Sequence, residues 1–205
     1  MCAVEIAEPT SVLRFFRQSG GEVLELKLIY SGRLPSNGSV SVKHGIRKQL
    51  HPQLKMLWEV KAPHPLYNVL PNLNGPVYGI GGLAERHSLC GFRFVPLVVE
   101  DYEANVSTDI LFLRRGRPGQ VVISGGDIDN RIKTLFDALQ KPKNCSEVEG
   151  SPSPDEDPFF VLLEDDSMIA DIKVTTGLLL TPPGPDEYEN DVHLIIGVKV
   201  RDRGE

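Results

Sequence analysis

Two pairs of aspartates and one lysine are the residues in this chain whose types and positions indicate a chemical role. Asp127 and Asp129 stand one residue apart at the start of a predicted helix, and Lys133 follows four residues later. A second pair, Asp165 and Asp166, precedes a predicted strand. Carboxylate oxygens are the ligands that Mg²⁺ prefers, and a lysine beside them can stabilise negative charge growing on a phosphate. The arrangement therefore predicts a hard-cation site suited to phosphoryl chemistry.

The helix that carries the first pair is predicted by its apolar periodicity. A single stripe at a period of 3.6 residues is formed by Ile128, Ile132, Leu135, Phe136 and Leu139. Asp129 and Lys133 are four residues apart, so they share one face of this helix, away from the stripe. Pro142 ends the helix near Gln140 because proline lacks the backbone N–H that the helix needs. The polar face is therefore expected to be available for a ligand.

The same acidic residues also have a purely structural interpretation. An Asp-x-Asp sequence before a helix often supplies an N-cap and complements the helix dipole. An Asp-Asp pair before a strand often forms a turn. On the residues alone both interpretations stay open, and the second describes a soluble protein whose acidic motif only caps a helix.

A longer motif resembles the RusA family of Holliday junction resolvases. The family pattern is a D-L-D-N-x-x-K-x-x-x-D-A-L helix followed by a D-D turn and a hydrophobic strand. The matching positions here are Asp127, Ile128, Asp129, Asn130, Lys133, Asp137, Ala138, Leu139, Asp165 and Asp166, with Ile128 in place of the usual leucine. Much earlier, Leu34-Pro35-Ser36-Asn37 resembles the family's P-P-S-N-N turn. The resemblance covers residues 22–42 weakly and 106–200 well.

The resemblance implies a magnesium-dependent endonuclease that resolves four-way DNA junctions as a homodimer, with Mn²⁺ as a substitute metal. It implies catalytic roles for Asp127, Asp129, Lys133 and Asp166, of which the three aspartates bind the metal. Metal-activated water would then attack a phosphodiester, and no organic cofactor is expected. An alternative is a non-catalytic DNA-binding relative that keeps the motif helix for packing. Asp165, Asn130 and Asp137 match the pattern without a settled role, and Asp137 could face solvent or pair with Lys133.

The overall charge of −6 excludes a uniformly basic nucleic-acid-binding protein, but the charge is unevenly distributed. Residues 31–61 carry six basic side chains and one acidic side chain, and an arginine-rich turn precedes Asp127. Contacts to DNA phosphates are therefore predicted for Lys43, Arg47, Lys48, Lys55, Arg114, Arg115 and Arg117. The alternative is that these residues form a solvated surface.

The three cysteines, Cys2, Cys90 and Cys145, lack the spacing of a metal site. Their odd number predicts reduced thiols in a cytoplasmic protein. No apolar run approaches the ~18 residues of a membrane helix, and the N-terminus lacks a basic region followed by an apolar one. We therefore expect no membrane association and no secretory signal.

The predicted fold is α+β, a single RusA-like domain over residues 1–205. It has a mostly antiparallel sheet of five to six strands packed with one or two helices. Strands are predicted at 23–30, 92–99, 106–113, 159–163, 168–174 and 192–200, with a further short segment at 120–123. Pro96 indicates an edge position for the second of them.

The segments between these strands are predicted to differ in order. Helical segments are expected at 46–50 and 53–58, separated at Pro52, with Trp58 in the core and with His44 and His51 at the surface. Residues 62–89 are expected to form an irregular loop because they are rich in proline and glycine. Residues 141–158 are expected to form a flexible insert because they are rich in proline, serine and acids. The RusA pattern usually has only a few residues at the position of this insert.

Overall fold

The computed structural model describes residues 14–17, 22–61, 64–67, 69–70, 73, 76–115, 128–182 and 191–203. Within these ranges the strands are β1 (Arg14–Arg17), β2 (Glu22–Gly32), β3 (Ser88–Leu89), β4 (Phe92–Val98), β5 (Ala104–Arg114), β6 (Phe159–Leu163), β7 (Ile169–Leu178) and β8 (Val192–Asp202). The α-helices are α1 (Val40–Val60), α2 (Ile80–Arg86) and α3 (Ile128–Leu139). The α+β prediction is confirmed.

A five-stranded sheet has the order β1-β2-β8-β5-β7. The first three pairings are antiparallel, as expected, whereas β5 and β7 are parallel. Parallel strands need a crossover connection, and here the chain between β5 and β7 passes through α3 and β6. The sheet is therefore mixed, and α3 is part of the crossover that makes it so.

One face of this sheet is apolar and buried, while the other is exposed. Along β2 and β8 the residues alternate between the core and the surface, so that Leu26 and Ile196 are buried whereas Lys27 and Lys199 are exposed. Side chains that alternate in a strand point to opposite faces, which explains this pattern. The helices and the second sheet therefore share one side of the five-stranded sheet.

The second sheet has the order β3-β4-β6 and is buried on both faces along β6 and along nearly all of β4. Strand β4 lies in the middle, yet β3 pairs only with Phe92 and Arg93. Pro96 therefore pairs with Val161 on one side and lies beyond the end of β3 on the other. On this side Pro96 is at an edge, as expected, because β3 is too short to reach it and no strand there needs the N–H that proline lacks.

Helix α1 runs unbroken through Pro52, which corrects the expectation of two segments. Contacts with β2, β6 and α3 hold the helix together across the proline. His44 and His51 are both buried on it, so their predicted surface positions were wrong. The Nδ1 of His51 accepts the backbone N–H of Phe160, and burial lowers the pKa of this histidine. Trp58 is buried in the core, as predicted.

The proline- and glycine-rich stretch at 62–89 contains more regular structure than expected. Its described part includes the helix α2 and the short strand β3. One of its glycines, Gly82, is required by close packing, because a Cβ atom there would lie 2.4 Å from the carbonyl oxygen of Pro76. The glycine content thus allows close packing in this part of the chain rather than a wholly irregular loop.

Residues 141–158, for which the composition predicts a flexible insert, form short turns and are linked to the rest of the chain by a disulfide and by salt bridges. The segment contains two 3₁₀ turns, Cys145–Glu147 and Pro154–Glu156. Cys145 forms a disulfide with Cys90, so the prediction of three reduced thiols was wrong. Lys48 pairs with Glu156 at 2.9 Å, and Arg93 pairs with Asp157 at 2.7 Å.

None of the helices in the described ranges has the length and apolar character that a membrane crossing requires.

The loop between β2 and α1 lies directly against α3. Gly38 is the residue of closest approach, since a Cβ atom there would lie 2.5 Å from Thr134 Cγ2. Asn37, just before it, has a φ of 54°, a left-handed conformation that asparagine tolerates better than most residues. The sequence of this loop is therefore fitted to the surface of the motif helix.

We predict that Gly38→Ala lowers the free energy of unfolding by about 1–3 kcal/mol, because the added methyl group must displace Thr134 or the loop. Gly45→Ala is the matched control. It adds the same methyl group inside α1, where nothing lies within 4 Å, and should stabilise the protein by about 0.5–1 kcal/mol. Urea unfolding of both variants measures the difference. Equal effects of the two substitutions would contradict the close approach at Gly38.

Candidate functional site

Helix α3 presents part of the predicted motif to solvent. Its span, Ile128–Leu139, confirms the predicted helix, and its apolar stripe is packed into the core. The side chains of Asp129 and Lys133 are exposed, and Lys133 forms no salt bridge with another described residue. Asp127, the first aspartate of the motif, lies outside the described residues. The N-terminal half of the helix thus exposes Asp129 and Lys133 to solvent on the surface of the protein.

The loop containing Leu34-Pro35-Ser36-Asn37 packs on the motif helix. Arg131 donates a hydrogen bond from Nη1 to the carbonyl oxygen of Leu34. The N–H of Gly38 donates to Thr134 Oγ1 at 2.9 Å, and the Thr134 hydroxyl donates in turn to the Asn130 carbonyl at 3.0 Å. The two parts of the sequence that carry the RusA resemblance are therefore in direct contact, although the contacting residues are 96 and 97 positions apart.

The C-terminal end of α3 is capped by Arg47, which reaches it from α1. The guanidinium donates to the carbonyl oxygens of Asp137 at 2.5 Å, Gln140 at 3.1 Å and Glu147 at 3.5 Å. The side chain is only 2% exposed, and burial lowers its pKa to about 10. A positive charge at a helix C-terminus is favourable because the last carbonyl groups lack partners. This position corrects the prediction that Arg47 contacts DNA.

The Asp165–Asp166 turn is attached to the same end of α3. The Oε1 of Gln140 accepts the backbone N–H of Asp166 at 3.1 Å, and the N–H of Lys141 donates to the Leu163 carbonyl at 2.9 Å. The carboxylate of Asp165 starts the following 3₁₀ turn by accepting the N–H of Ser167 at 2.9 Å. The chain thus returns to the motif helix after the insert at 141–158.

A lysine within the insert holds the two aspartates together. The Nζ of Lys143 lies 2.7 Å from Asp165 Oδ2 and 3.6 Å from Asp166 Oδ1. The side chains are 51%, 24% and 37% exposed for Lys143, Asp165 and Asp166, so solvent reaches all three. The hydrogen bond from Lys143, with that from the Ser167 N–H, lowers the pKa of Asp165 to about 2. Asp165 uses one oxygen to cap the turn and the other to pair with Lys143, whereas the contact between Lys143 and Asp166 is longer.

Carboxylate oxygens are suitable ligands for a hard divalent cation, and in this structure those of Asp165 and Asp166 are paired with the Lys143 ammonium. The described residues nevertheless contain no group of three or more His, Cys, Asp or Glu side chains that could hold a metal. Asp129 lies eleven residues before Gln140, which is roughly 16 Å along the helix axis. The structure therefore joins Asp165 to Asp166 but does not bring Asp129 to the same cation.

Most of the predicted DNA-contacting residues have partners within the chain. Lys43 pairs with Asp137 at 2.7 Å, Lys48 pairs with Glu156, and Arg115 donates to the Thr181 carbonyl at 2.9 Å. The partner of Asp137 is thus Lys43, where the sequence had left pairing with Lys133 or solvent exposure open. Lys55 is partly exposed, Arg114 is half-buried, and Arg117 lies outside the described residues. The basic segment is consequently partly neutralised by local acids.

The sequence reasoning did not single out several polar residues that position the site. Thr134 and Gln140 are buried polar residues of the motif segment, while Lys143 lies in the insert. A polar side chain bordering an apolar helical stripe is the one local signal for Thr134 and Gln140, because buried polar groups must find partners. Nothing local identifies Lys143, whose partners come from a separate turn.

Comparison of the chain with protein-family models, with curated proteins and with solved structures found no match.

We predict that Arg47→Met lowers the free energy of unfolding by about 3 kcal/mol. Methionine retains much of the apolar volume but leaves the carbonyl oxygens at the end of α3 without a donor. Lys48→Met is the matched control on the next residue, where the half-exposed Lys48 side chain pairs with Glu156 and the pair contributes at most about 1 kcal/mol. Urea unfolding separates the two cases. An Arg47→Met protein as stable as Lys48→Met would disprove the capping role.

We also predict a pH-dependent contribution from Asp165. Its folded-state pKa of about 2 lies below the ordinary value near 3.9, so the contribution is complete above pH ~4 and is lost as the pH falls through 2. Asp165→Asn keeps a residue able to cap the turn but removes the charge. The variant should be less stable by about 1 kcal/mol at pH 7, with the deficit vanishing near pH 2. Urea unfolding of both proteins across this range checks it; a pH-independent deficit would contradict it.

Proposed function

We propose that this protein is a magnesium-dependent, structure-selective endodeoxyribonuclease of the RusA type, which resolves branched DNA such as Holliday junctions. The proposal is supported by the Asp-x-Asp-Asn helix with Lys133, by the Asp165–Asp166 turn and by the contact between the two parts of the resemblance. Mn²⁺ is the proposed substitute metal. A homodimer is proposed because a four-way junction presents two symmetric scissile positions. The proposed location is the cytoplasm.

The attachment of the aspartate turn to α3 is the observation that supports this proposal most. Asp166 is joined to the end of α3 through Gln140 even though the 141–158 segment intervenes in the sequence. Asp165 and Asp166 then face a single positive charge, that of Lys143. A pair of carboxylates that gathers around one cation and is fixed to the motif helix is a suitable half-site for a hard metal.

The proposed chemistry divides among the residues by their positions. When bound, a divalent cation would lower the pKa of a coordinated water and polarise a phosphoryl oxygen. Asp166 would hold the metal at the aspartate turn. The resemblance also assigns Asp127 and Asp129 to it, which would require the start of α3 and the aspartate turn to approach each other when the metal binds. Lys133, one turn after Asp129, would place its ammonium against the phosphate and stabilise the charge that grows there. Gln140 and Arg47 act as positioning residues, since they hold the turn and the helix end.

A second candidate is a non-catalytic DNA-binding relative that keeps the motif helix for packing. The separation along α3 between Asp129 and the attachment point of the aspartate turn favours it. In that protein Lys133 and Lys55 would contact phosphates without a metal. Its binding to DNA would weaken with salt and would be independent of magnesium.

Cleavage of a synthetic four-way junction tests these alternatives. The endonuclease should cut the junction in preference to a linear duplex of the same sequence, and only with magnesium present. Asp129→Asn and Asp166→Asn should abolish cleavage, whereas Asp171→Asn, at an exposed aspartate of β7, should cut at the parental rate. Junction binding without cleavage at any magnesium concentration would support the second candidate.

Within this assay, Lys133→Ala should slow single-turnover cleavage by roughly 10²–10³, the scale of losing one preorganised donor to a transition state. Junction affinity should change much less, because one phosphate contact is a small part of the total. Lys133→Arg should rescue poorly, since a planar guanidinium does not occupy the position of a compact ammonium. Lys173→Ala, at an exposed lysine of β7, is the control. A Lys133→Ala enzyme that cuts at the parental rate would exclude the catalytic role.

A further inference from the structure

A disulfide joins the 141–158 segment to the hairpin of β3 and β4. Cys90 lies in the turn of this hairpin, Cys145 begins a 3₁₀ turn, and their Cα atoms are 5.7 Å apart. Both cysteine residues are exposed, so a reductant can reach the bond. The link crosses 55 residues of sequence and fixes the segment two residues after Lys143.

Hydrogen bonds transmit this restraint to Lys143. Its backbone N–H donates to Glu147 Oε2 at 3.1 Å, and the side-chain amide of Asn144 donates to Glu147 Oε1 at 3.0 Å. The carbonyl of Glu147 accepts from the buried Arg47. The residues on both sides of Cys145 are therefore tied down, and the ammonium of Lys143 is held over Asp165 and Asp166.

We propose that Lys143 is an internal cation that competes with a divalent metal for Asp165 and Asp166, and that the Cys90–Cys145 disulfide keeps it in place. The inference rests on the proposed function because it concerns the same carboxylates. A dithiol reductant would supply two electrons and two protons, so that the Sγ–Sγ bond breaks and two cysteine thiols form while the reductant becomes a disulfide. The freed segment would then release Lys143 from the aspartates more easily.

The competition follows from charge and position. Lys143 already contacts one oxygen of each aspartate, and a metal that uses those oxygens must displace it. The disulfide lowers the conformational entropy that the segment could gain by moving away, and this makes displacement less favourable. The salt bridge is exposed, so its removal should strengthen metal binding modestly, by about fivefold. Disulfides that form in the cytoplasm are often transient or redox-sensing, which suits such a control.

The experiment measures Mn²⁺ affinity by the spin-resonance signal of the free ion, on the whole chain and without DNA. Four proteins are compared in oxidised form and after reduction and desalting. They are the parent, Lys143→Ala, Cys90→Ser and Lys173→Ala. The last is the control, because Lys173 lies on β7 and pairs with Asp109 at 2.7 Å, the same distance as that between Lys143 and Asp165. Thiol titration of the unfolded parent should give one thiol when oxidised, from Cys2, and three when reduced.

Lys143→Ala should bind Mn²⁺ about fivefold more tightly than the oxidised parent and should not respond to reduction. The reduced parent and Cys90→Ser should both move toward that affinity, while Lys173→Ala should match the parent in each state. Equal affinity of Lys143→Ala and the oxidised parent would overturn the inference but leave the proposed metal site intact. A parent unaffected by reduction would overturn the role of the disulfide. Failure of all four proteins to bind Mn²⁺ would overturn the inference and the proposed metal site together.

Discussion

The guanidinium of Arg47 is buried among backbone carbonyl groups at the end of α3, and the position of the candidate site depends on it. Burying a charge is costly unless hydrogen bonds compensate, and here the carbonyl oxygens of Asp137, Gln140 and Glu147 do so. The same Gln140 holds the Asp166 turn through its side chain. One residue of α1 thus fixes the end of α3, the insert and, through Gln140, the aspartate turn.

The elements that depend on local sequence were predicted well. The apolar stripe of α3 repeats every 3.6 residues, and the alternation in β2 and β8 needs only neighbouring residues to be seen. The run Phe159–Leu163 is uniformly apolar because β6 is buried on both faces, and its predicted bounds agree with the structure. Helix α1 was harder to predict, because packing against two sheets overrides the local effect of Pro52.

The parts that could not be predicted depend on contacts between distant residues. A buried Arg47 and an exposed Lys48 are adjacent in a basic sequence, and only the position of the α3 carbonyl groups distinguishes them. The disulfide pairs Cys90 with a cysteine in a segment whose composition indicates disorder. For the site itself, the sequence indicated which carboxylates could bind a metal, and the structure adds Lys143, the cation that two of them already share.

The sheet order also has a consequence for how the chain folds. Strand β8 is the last of the described strands along the chain but lies between β2 and β5, where its Val200 aligns with Leu24 of β2. During synthesis β2 and β5 leave the ribosome long before β8, the strand that pairs with both of them. The sheet between β2 and β5 therefore cannot form until residues 192–202 have been made. Pairings this far apart in sequence close slowly, and partly formed sheets expose edges that aggregate. The chain is therefore expected to complete its core only after β8 has emerged, and its unpaired strand edges are exposed to aggregation until then.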